Sequence, residues 1–330
     1  MTDLRRRVIR SAVEIFRDIA QAKGKLAGGS LCLGNFDGVH LGHQALFATA
    51  KIHARRRGAK AAAMTFDPHP VKLLAPELAP RQLSPLPQKL ALMEKVGLDA
   101  VLVQRFDRDF AALEPSQFER LLLDELAVGE VVVGFDYTYG KRRAGTVETL
   151  RAACEARGAA FSLVPKVTVD GLPASSTKVR ELLLDGKVAA AAKLLDRHYA
   201  LIGTVVRGAG RGRGIGFPTA NLETEFELIP GSGVYAVLAR AGERFWPAAA
   251  NIGRKPTVAA ADAPITVELH LIGFDGDLYG QSIEALFLER IRSEQRFPGL
   301  DALKAQIARD VERAKAICAA TRGLPLDPAF

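Results

Sequence analysis

Leu33-Gly34-Asn35-Phe36-Asp37-Gly38-Val39-His40-Leu41-Gly42-His43 decides how the first half of the chain is read. The stretch follows a short apolar run, residues 30–34, and opens a helical stretch, residues 42–57. Parallel α/β sheets bind ligands beyond the carboxyl ends of their strands. A helix start there offers N–H groups and a positive dipole end to phosphate. Gly34, Gly38 and Gly42 let the backbone approach a ligand closely. His40 and His43, three residues apart, are expected to share one helical face. Two imidazoles so placed can donate to phosphoryl oxygens as charge builds in a transition state. Caps and packing are the plain alternative for the pair.

Outward from this turn, the residues alternate between two periods. Residues 30–34, 60–66, 100–104, 130–134 and 160–164 read as strands. Residues 42–57, 87–96, 115–126 and 146–157 read as helices. That alternation predicts a parallel sheet with crossover helices. Six prolines from Pro68 to Pro87 predict a long surface loop beside a cleft, with neither helix nor strand running through. Thr65-Phe66-Asp67-Pro68-His69-Pro70 ends a strand, and Ser175-Ser176-Thr177-Lys178-Val179-Arg180 starts a helix whose hydroxyls and cations suit phosphate oxygens. A plain N-cap is the simpler reading of the serines.

The texture changes near residue 186. Two short helices, 177–184 and 187–195, give way to β-like runs at 201–206, 233–239, 246–252, 265–272 and 282–288. A small barrel or sandwich is expected there, closed by one helix over about 300–321. The expected domains are 1–186 and 187–330.

Two features of the second half carry chemistry. Glycines alternate through residues 208–216, with Arg207, Arg211 and Arg213 among them, and Phe217-Pro218-Thr219-Ala220-Asn221 follows. Such a backbone can wrap phosphates. The hydroxyl of Thr219 and the amide of Asn221 face one way on an extended chain and can hold Mg²⁺ and phosphate oxygens. Farther on, Val267-Glu268-Leu269-His270-Leu271 sets Glu268 and His270 on one strand face and the aliphatic residues on the other, which makes Glu268 a candidate base. An exposed surface Glu is the alternative.

Composition narrows the classes. The 330 residues are 48% hydrophobic and 25% charged, which suits folded domains rather than disorder. No apolar run reaches the roughly 20 residues of a membrane span, and Met1–Arg10 has no apolar core after its arginines, so no signal peptide is expected. Cys32, Cys154 and Cys318 form no metal or disulfide pattern and suit a reducing cytoplasm. The net charge of +8 is compatible with anionic substrates, nucleic acid or a membrane surface. No membrane or nucleic-acid partner is expected, and oligomeric state is not legible.

The residues from Gly34 to Gln44, with Thr65–Pro70, Val133-Gly134-Phe135-Asp136-Tyr137-Thr138-Tyr139-Gly140 and Ser175–Arg180, resemble the FAD synthetase module of bacterial bifunctional riboflavin kinase/FAD synthetases. The resemblance spans about 28–185. Gly214–Asn221, Gly233-Val234-Tyr235-Ala236, Asn251-Ile252-Gly253-Arg254-Lys255-Pro256-Thr257, Glu268-Leu269-His270, Asp277-Leu278-Tyr279-Gly280 and Ile291-Arg292-Ser293-Glu294 resemble its riboflavin kinase module, over about 198–318.

The resemblance implies an α/β nucleotidyltransferase domain with a Rossmann-like parallel sheet, then a six-stranded β-barrel with a terminal helix. It implies phosphorylation of riboflavin to FMN and adenylylation of FMN to FAD, both with ATP and Mg²⁺. It assigns His40 and His43 to the ATP phosphates and the transition state, and Ser176, Thr177 and Arg180 to the triphosphate. Gly34, Asn35, Asp37, Gly42, Asp67 and Asp136 would line the nucleotide site. Gly214, Gly216 and Pro218 would meet ATP in the kinase half, Thr219 and Asn221 would ligate Mg²⁺, Glu268 would be the base, and Arg292 would meet the flavin. The sequence departs from the family at Tyr137-Thr138-Tyr139, where Phe-x-Phe is usual, at Lys178, often Arg, and at Gly273, often Asp. Two other readings remain: a nucleotidyltransferase with a regulatory barrel, and a Gly/Arg-based RNA-binding protein.

Overall fold

The computed structural model describes residues 13–208, 214, 216–254 and 265–321. The N-terminal arginines, Arg211 and Arg213, and Lys255-Pro256-Thr257 lie outside the described residues. The chain divides into two compact units, Met1–Pro173 and Ala174–Phe330.

The first unit is built on six parallel strands: β1 (Glu14–Phe16), β2 (Ser30–Leu33), β3 (Ala61–Asp67), β4 (Ala100–Arg105), β5 (Glu130–Gly134) and β6 (Ala160–Val164), in the order β1-β4-β3-β2-β5-β6. The helices are α1 (Ile19–Ala22), α2 (Leu41–Arg57), α3 (Pro70–Leu74), α4 (Leu86–Lys95), α5 (Arg108–Ala111), α6 (Pro115–Arg120) and α7 (Val147–Ala156). A two-stranded hairpin, β7 (Thr168–Val169) and β8 (Leu172–Pro173), follows. Val131, Val132 and Val133 of β5 are fully buried, as expected of a strand covered on both faces. In α2, Leu46, Phe47, Ala50 and Ala54 face inward, and the helix packs on β2, β3 and β5. Arg55, Arg56 and Arg57 fill its last turn, where cations suit the dipole, before Gly58 caps it in the left-handed region.

Strand order fixes where a ligand belongs. The successor of β2 lies on one side of it and β5 on the other, so the order reverses at the β2–β5 pair. The crevice beyond the carboxyl ends of such a pair is the usual ligand site of an open parallel sheet. The turn carrying His40 leaves β2 there, and the segment carrying Asp136 leaves β5.

The proline-rich segment corrects the expected loop. It contains α3 and a single 3₁₀ turn, Pro76–Leu78, and each begins with proline in its first turn. Proline is tolerated there because that N–H has no intrahelical partner. Leu83 and Ser84 after them are buried.

The second unit begins with α8 (Ser176–Leu184) and α9 (Val188–Leu195), so the boundary expected at 186 falls between these two helices. Then come β9 (Tyr199–Val206), β10 (Ala220–Glu223), β11 (Gly233–Ala241), β12 (Arg244–Arg254), β13 (Ile265–Leu271) and β14 (Ser282–Arg292), which close into a barrel in the order β10-β13-β12-β11-β14-β9. Each pair is antiparallel. The terminal helix, α10 (Leu300–Thr321), packs on β11, β12 and β14 through Val311, Ala314 and Cys318. Cys32, Cys154 and Cys318 are buried, and none is in a disulfide.

Candidate functional site

The histidine turn is strained and heavily braced. Phe36 (φ 51°) and Val39 (φ 42°) occupy the left-handed region alongside Gly38, a costly conformation for a β-branched residue. A methyl group on Gly38 would sit 2.5 Å from Leu83. The buried carboxylate of Asp37 accepts the backbone N–H of Leu83 at 3.0 and 3.1 Å and that of Ser84 at 3.3 Å, which fastens the turn to the end of the proline-rich segment. The Val39 carbonyl accepts from the Gln44 side chain at 3.1 Å.

His40 is the N-cap of α2, and its Nδ1 accepts the His43 N–H at 3.4 Å. The capping role is therefore real, but it occupies Nδ1 as an acceptor. In the neutral ring the proton then sits on Nε2, the donor end. The two imidazoles stack, with centroids 3.6 Å apart, and the edge of Phe36 packs on His43. Asn35, Asp67 and Asp136 are exposed at the carboxyl ends of β2, β3 and β5, and Gly34 and Gly42 are partly exposed.

The phosphate-type residues of the other segment lie on α8, the first helix of the second unit. Its N-cap is Ser175, whose hydroxyl accepts the Lys178 N–H at 3.2 Å. Thr177 is exposed, Ser176 and Arg180 are partly exposed, and Lys178 pairs with Glu181 at 2.8 Å.

In the barrel, Val267, Leu269 and Leu271 are buried while Thr266, Glu268 and His270 face the other way. Asn221 of β10 and Asn251 of β12 are the direct partners of Glu268 across β13. A cavity of about 330 Å³ collects Phe217, Thr219, Asn251, Glu268, His270 and Arg292, with Asp310 of α10 in its wall. A smaller one, of about 100 Å³, is lined by Pro218, Thr219, Phe274, Asp277 and Tyr279. Thr219 borders both. Asn221 lines neither; its amide lies against Gly208, where a methyl group would come within 2.1 Å of Nδ2. Gly214 and Gly216 are exposed and line neither cavity. His270 Nδ1 is 2.8 Å from the Pro218 carbonyl.

Arg292 grips the buried Asp310 with Nε at 2.9 and 3.1 Å and Nη2 at 2.8 Å. Its guanidinium lies 5.6 Å from the Phe297 ring centre. Gln306 donates to the same carboxylate at 2.8 Å.

The FAD synthetase family model matches residues 23–178, and the riboflavin kinase model matches residues 195–318. A bifunctional riboflavin kinase/FMN adenylyltransferase of Escherichia coli K12 is 42% identical over 285 residues, 86% of this chain and 90% of that protein. The chain belongs to the bifunctional riboflavin kinase/FMN adenylyltransferase family. As a member of that family it phosphorylates riboflavin and adenylylates FMN. Members of Bacillus subtilis (38% identical, 88% of this chain and 93% of that protein) and Pseudomonas fluorescens (36%, 93% and 98%) match along almost their whole length. A solved Streptococcus pneumoniae structure, named a macrolide-efflux protein, shares 29% identity and a TM-score of 0.83 over 92% of this chain and 99% of its own. No helix among the described residues is long and apolar enough to cross a membrane.

Three residues beside these sites escaped the sequence reading. Asn251 stands in the sequence as one residue of a motif, and its register with Glu268 emerges only from strand pairing. Asp310 falls within the terminal helix at 300–321, and nothing in the local sequence marks it out. Lys89 of α4, buried behind the histidine turn, carried no local signal at all.

Proposed function

We propose that residues 1–186 carry FMN adenylylation and residues 187–330 riboflavin phosphorylation, with Glu268 the base of the second reaction. The observation that supports this most is the shared wall of the larger cavity, where Glu268 and Thr219 meet while Thr219 also borders the second cavity. Riboflavin would occupy the larger space, whose volume lies in the range of small-molecule sites, about 300–1,000 Å³. ATP would lie across the smaller one and beside Gly214, Gly216 and Pro218, with its phosphates reaching Thr219. The carboxylate of Glu268 takes the proton of the 5′-hydroxyl as its oxygen attacks the γ-phosphorus, and ADP leaves. Arg292, which lines the same cavity, would meet the flavin.

Magnesium is carried into such sites mostly by the nucleotide, with one or two protein oxygens and the rest phosphate and water. Among the described residues no three His, Cys, Asp or Glu side chains gather as a metal cage. The donor set of Thr219 hydroxyl and Asn221 amide oxygen, the latter held against Gly208, fits that mode. When bound there, Mg²⁺ would supply charge neutralisation on the polyphosphate.

In the adenylylation, a phosphate oxygen of FMN attacks the α-phosphorus of ATP and pyrophosphate leaves. His40 and His43 stabilise the charge, the turn's glycines admit the phosphates, and Asn35, Asp67 and Asp136 border the nucleotide. Asp37 acts through the turn's shape. Ser176, Thr177 and Arg180 are assigned the triphosphate on the family resemblance. No covalent intermediate is needed, since positioning and charge stabilisation supply the rate. The buried, unbridged cysteines suit a cytoplasmic setting.

Glu268→Gln tests the base. Riboflavin phosphorylation should fall by about 10²–10⁴-fold, the span of a general base, while added FMN is still converted to FAD. Phosphorylation within a few-fold of the unaltered protein would remove Glu268 from the role.

A further inference from the structure

Lys89 is 5% exposed, a rare condition for lysine. Its Nζ donates to the Asn35 carbonyl and to the Thr65 hydroxyl, both at 3.2 Å. The Thr65 hydroxyl donates to the same Asn35 carbonyl at 3.0 Å. The three groups form a closed triangle that joins α4, β3 and the first residues of the histidine turn. Burial pushes the ammonium down from the ordinary lysine value, and the charges of Asp37 and Asp67 draw it part of the way back.

A buried cation with two neutral oxygen partners is expensive, and an aliphatic residue of similar volume would pack in its place at lower cost. Something other than stability therefore accounts for it. The turn supplies the reason. Its left-handed residues, Phe36 and Val39, persist only where the surroundings over-determine the backbone. Asp37 is braced from the proline-rich segment on one side of the turn. On the other side, Asn35 is held by Lys89 and Thr65.

We propose that Lys89 is a positioning residue for FMN adenylylation: clamped between the Asn35 carbonyl and the Thr65 hydroxyl, it fixes the strained turn that sets His40 and His43 in place. The proposal rests on the assignment of those histidines to adenylyl transfer. Lys89 touches no substrate in this account and acts through the backbone of the turn. Its loss lets the imidazoles drift from the position the transition state needs more than it disturbs the exposed groups that border the nucleotide, so the cost falls on turnover more than on binding.

The test uses the full chain with Lys89→Met, Thr65→Val and the two together. Adenylylation of FMN is measured for kcat and for the KM of ATP, with riboflavin phosphorylation by the same samples as the control for folding. Lys89→Met should lower adenylylation kcat by about 10–100-fold, the penalty of an ångström-scale misplacement, with the KM of ATP within about threefold. Thr65→Val should show the same split in smaller measure. The double variant should lose less than the product of the single losses, because both act on one carbonyl. Adenylylation kcat kept within about threefold in Lys89→Met, a rise in KM at constant kcat, or fully multiplicative losses would each overturn the proposal. Should Lys89→Met not fold, Lys89→Leu and Thr65→Val carry the test, and an unchanged kcat in both overturns it. His43→Ala separates the two levels. If it retains adenylylation the assignment of the histidines fails, whereas its loss beside an unaffected Lys89→Met condemns the clamp alone.

Discussion

Gly208 shows how one missing side chain shapes the kinase half. The Asn221 amide occupies the space where a methyl on Gly208 would stand, 2.1 Å from Nδ2 and 2.5 Å from the amide carbon. Gly208→Ala must therefore push Asn221 aside. Phosphorylation of riboflavin should drop by about tenfold or more with FMN adenylylation unchanged, as steady-state rates of the two reactions will show. Two of the departures from the family pattern, Tyr139 and Gly273, have a structural setting at this scale. Tyr139 keeps its extra hydroxyl satisfied on Glu119 at 2.6 Å and Thr149 at 3.0 Å, and stacks beside Tyr137 at 6.0 Å. Tyrosine thus takes an aromatic position without an unpaired polar atom. Gly273 stands at φ 78° in the turn after β13, a conformation that suits glycine and strains most other residues. His40 and His43 were legible because turn glycines and histidines sit within a few residues of each other. Lys89 was not, because its partners are 24 and 54 residues away, and a lysine on an amphipathic helix reads as solvent-facing.

The strands and helices were legible wherever period and punctuation agreed. The run at 130–134 is β5 to the residue, and Gly58 ends α2 where its left-handed cap requires. Four strands were missed for their shortness: β1 with three residues, β7 and β8 with two each, and β10 with four. The proline-rich segment was misread because proline was taken only as a breaker, whereas at a helix start it fits.

Two polar clusters give tests of element-level stability. Asp310→Ala removes the carboxylate partner of Arg292 and leaves a largely buried guanidinium without a counter-charge between β14 and α10. Breaking such a pair should destabilise the second unit by about 3 kcal/mol or more, measurable by denaturant unfolding, and should weaken riboflavin binding through the loosened cavity wall.

Glu130 makes the other cluster, at the opposite end of the sheet from the histidine turn. Burial pushes its carboxyl up, but the hydroxyls of Ser30 (2.6 Å) and Ser162 (2.7 Å), together with His53, more than reverse this and hold it below the ordinary carboxylate range. A depressed carboxyl contributes stability above its unfolded value, which is lost as pH falls through the folded one. The first unit should therefore lose stability as pH drops below about 4.5. Glu130→Gln should lower the unfolding temperature by several degrees near neutrality and flatten that acid dependence. Thermal unfolding at a series of pH values checks both.

At the scale of the molecule, one chain carries two phosphate chemistries whose reactive groups differ in kind. Imidazoles at the mouth of a parallel sheet suit charge stabilisation without a base, because the FMN phosphate is already anionic. A hydroxyl nucleophile such as that of riboflavin needs a proton acceptor, and Glu268 on the barrel is the acceptor we propose. The product of the second reaction is the substrate of the first, so the division of labour is visible directly in the flavins. The decisive measurement is chromatography of flavins after incubation with ATP and Mg²⁺ and either riboflavin or FMN, for His43→Ala and Glu268→Gln proteins of unaltered fold. Two separate sites predict that His43→Ala stops at FMN, while Glu268→Gln leaves riboflavin unconverted yet still makes FAD from FMN. If either single change abolishes both conversions, the account is contradicted.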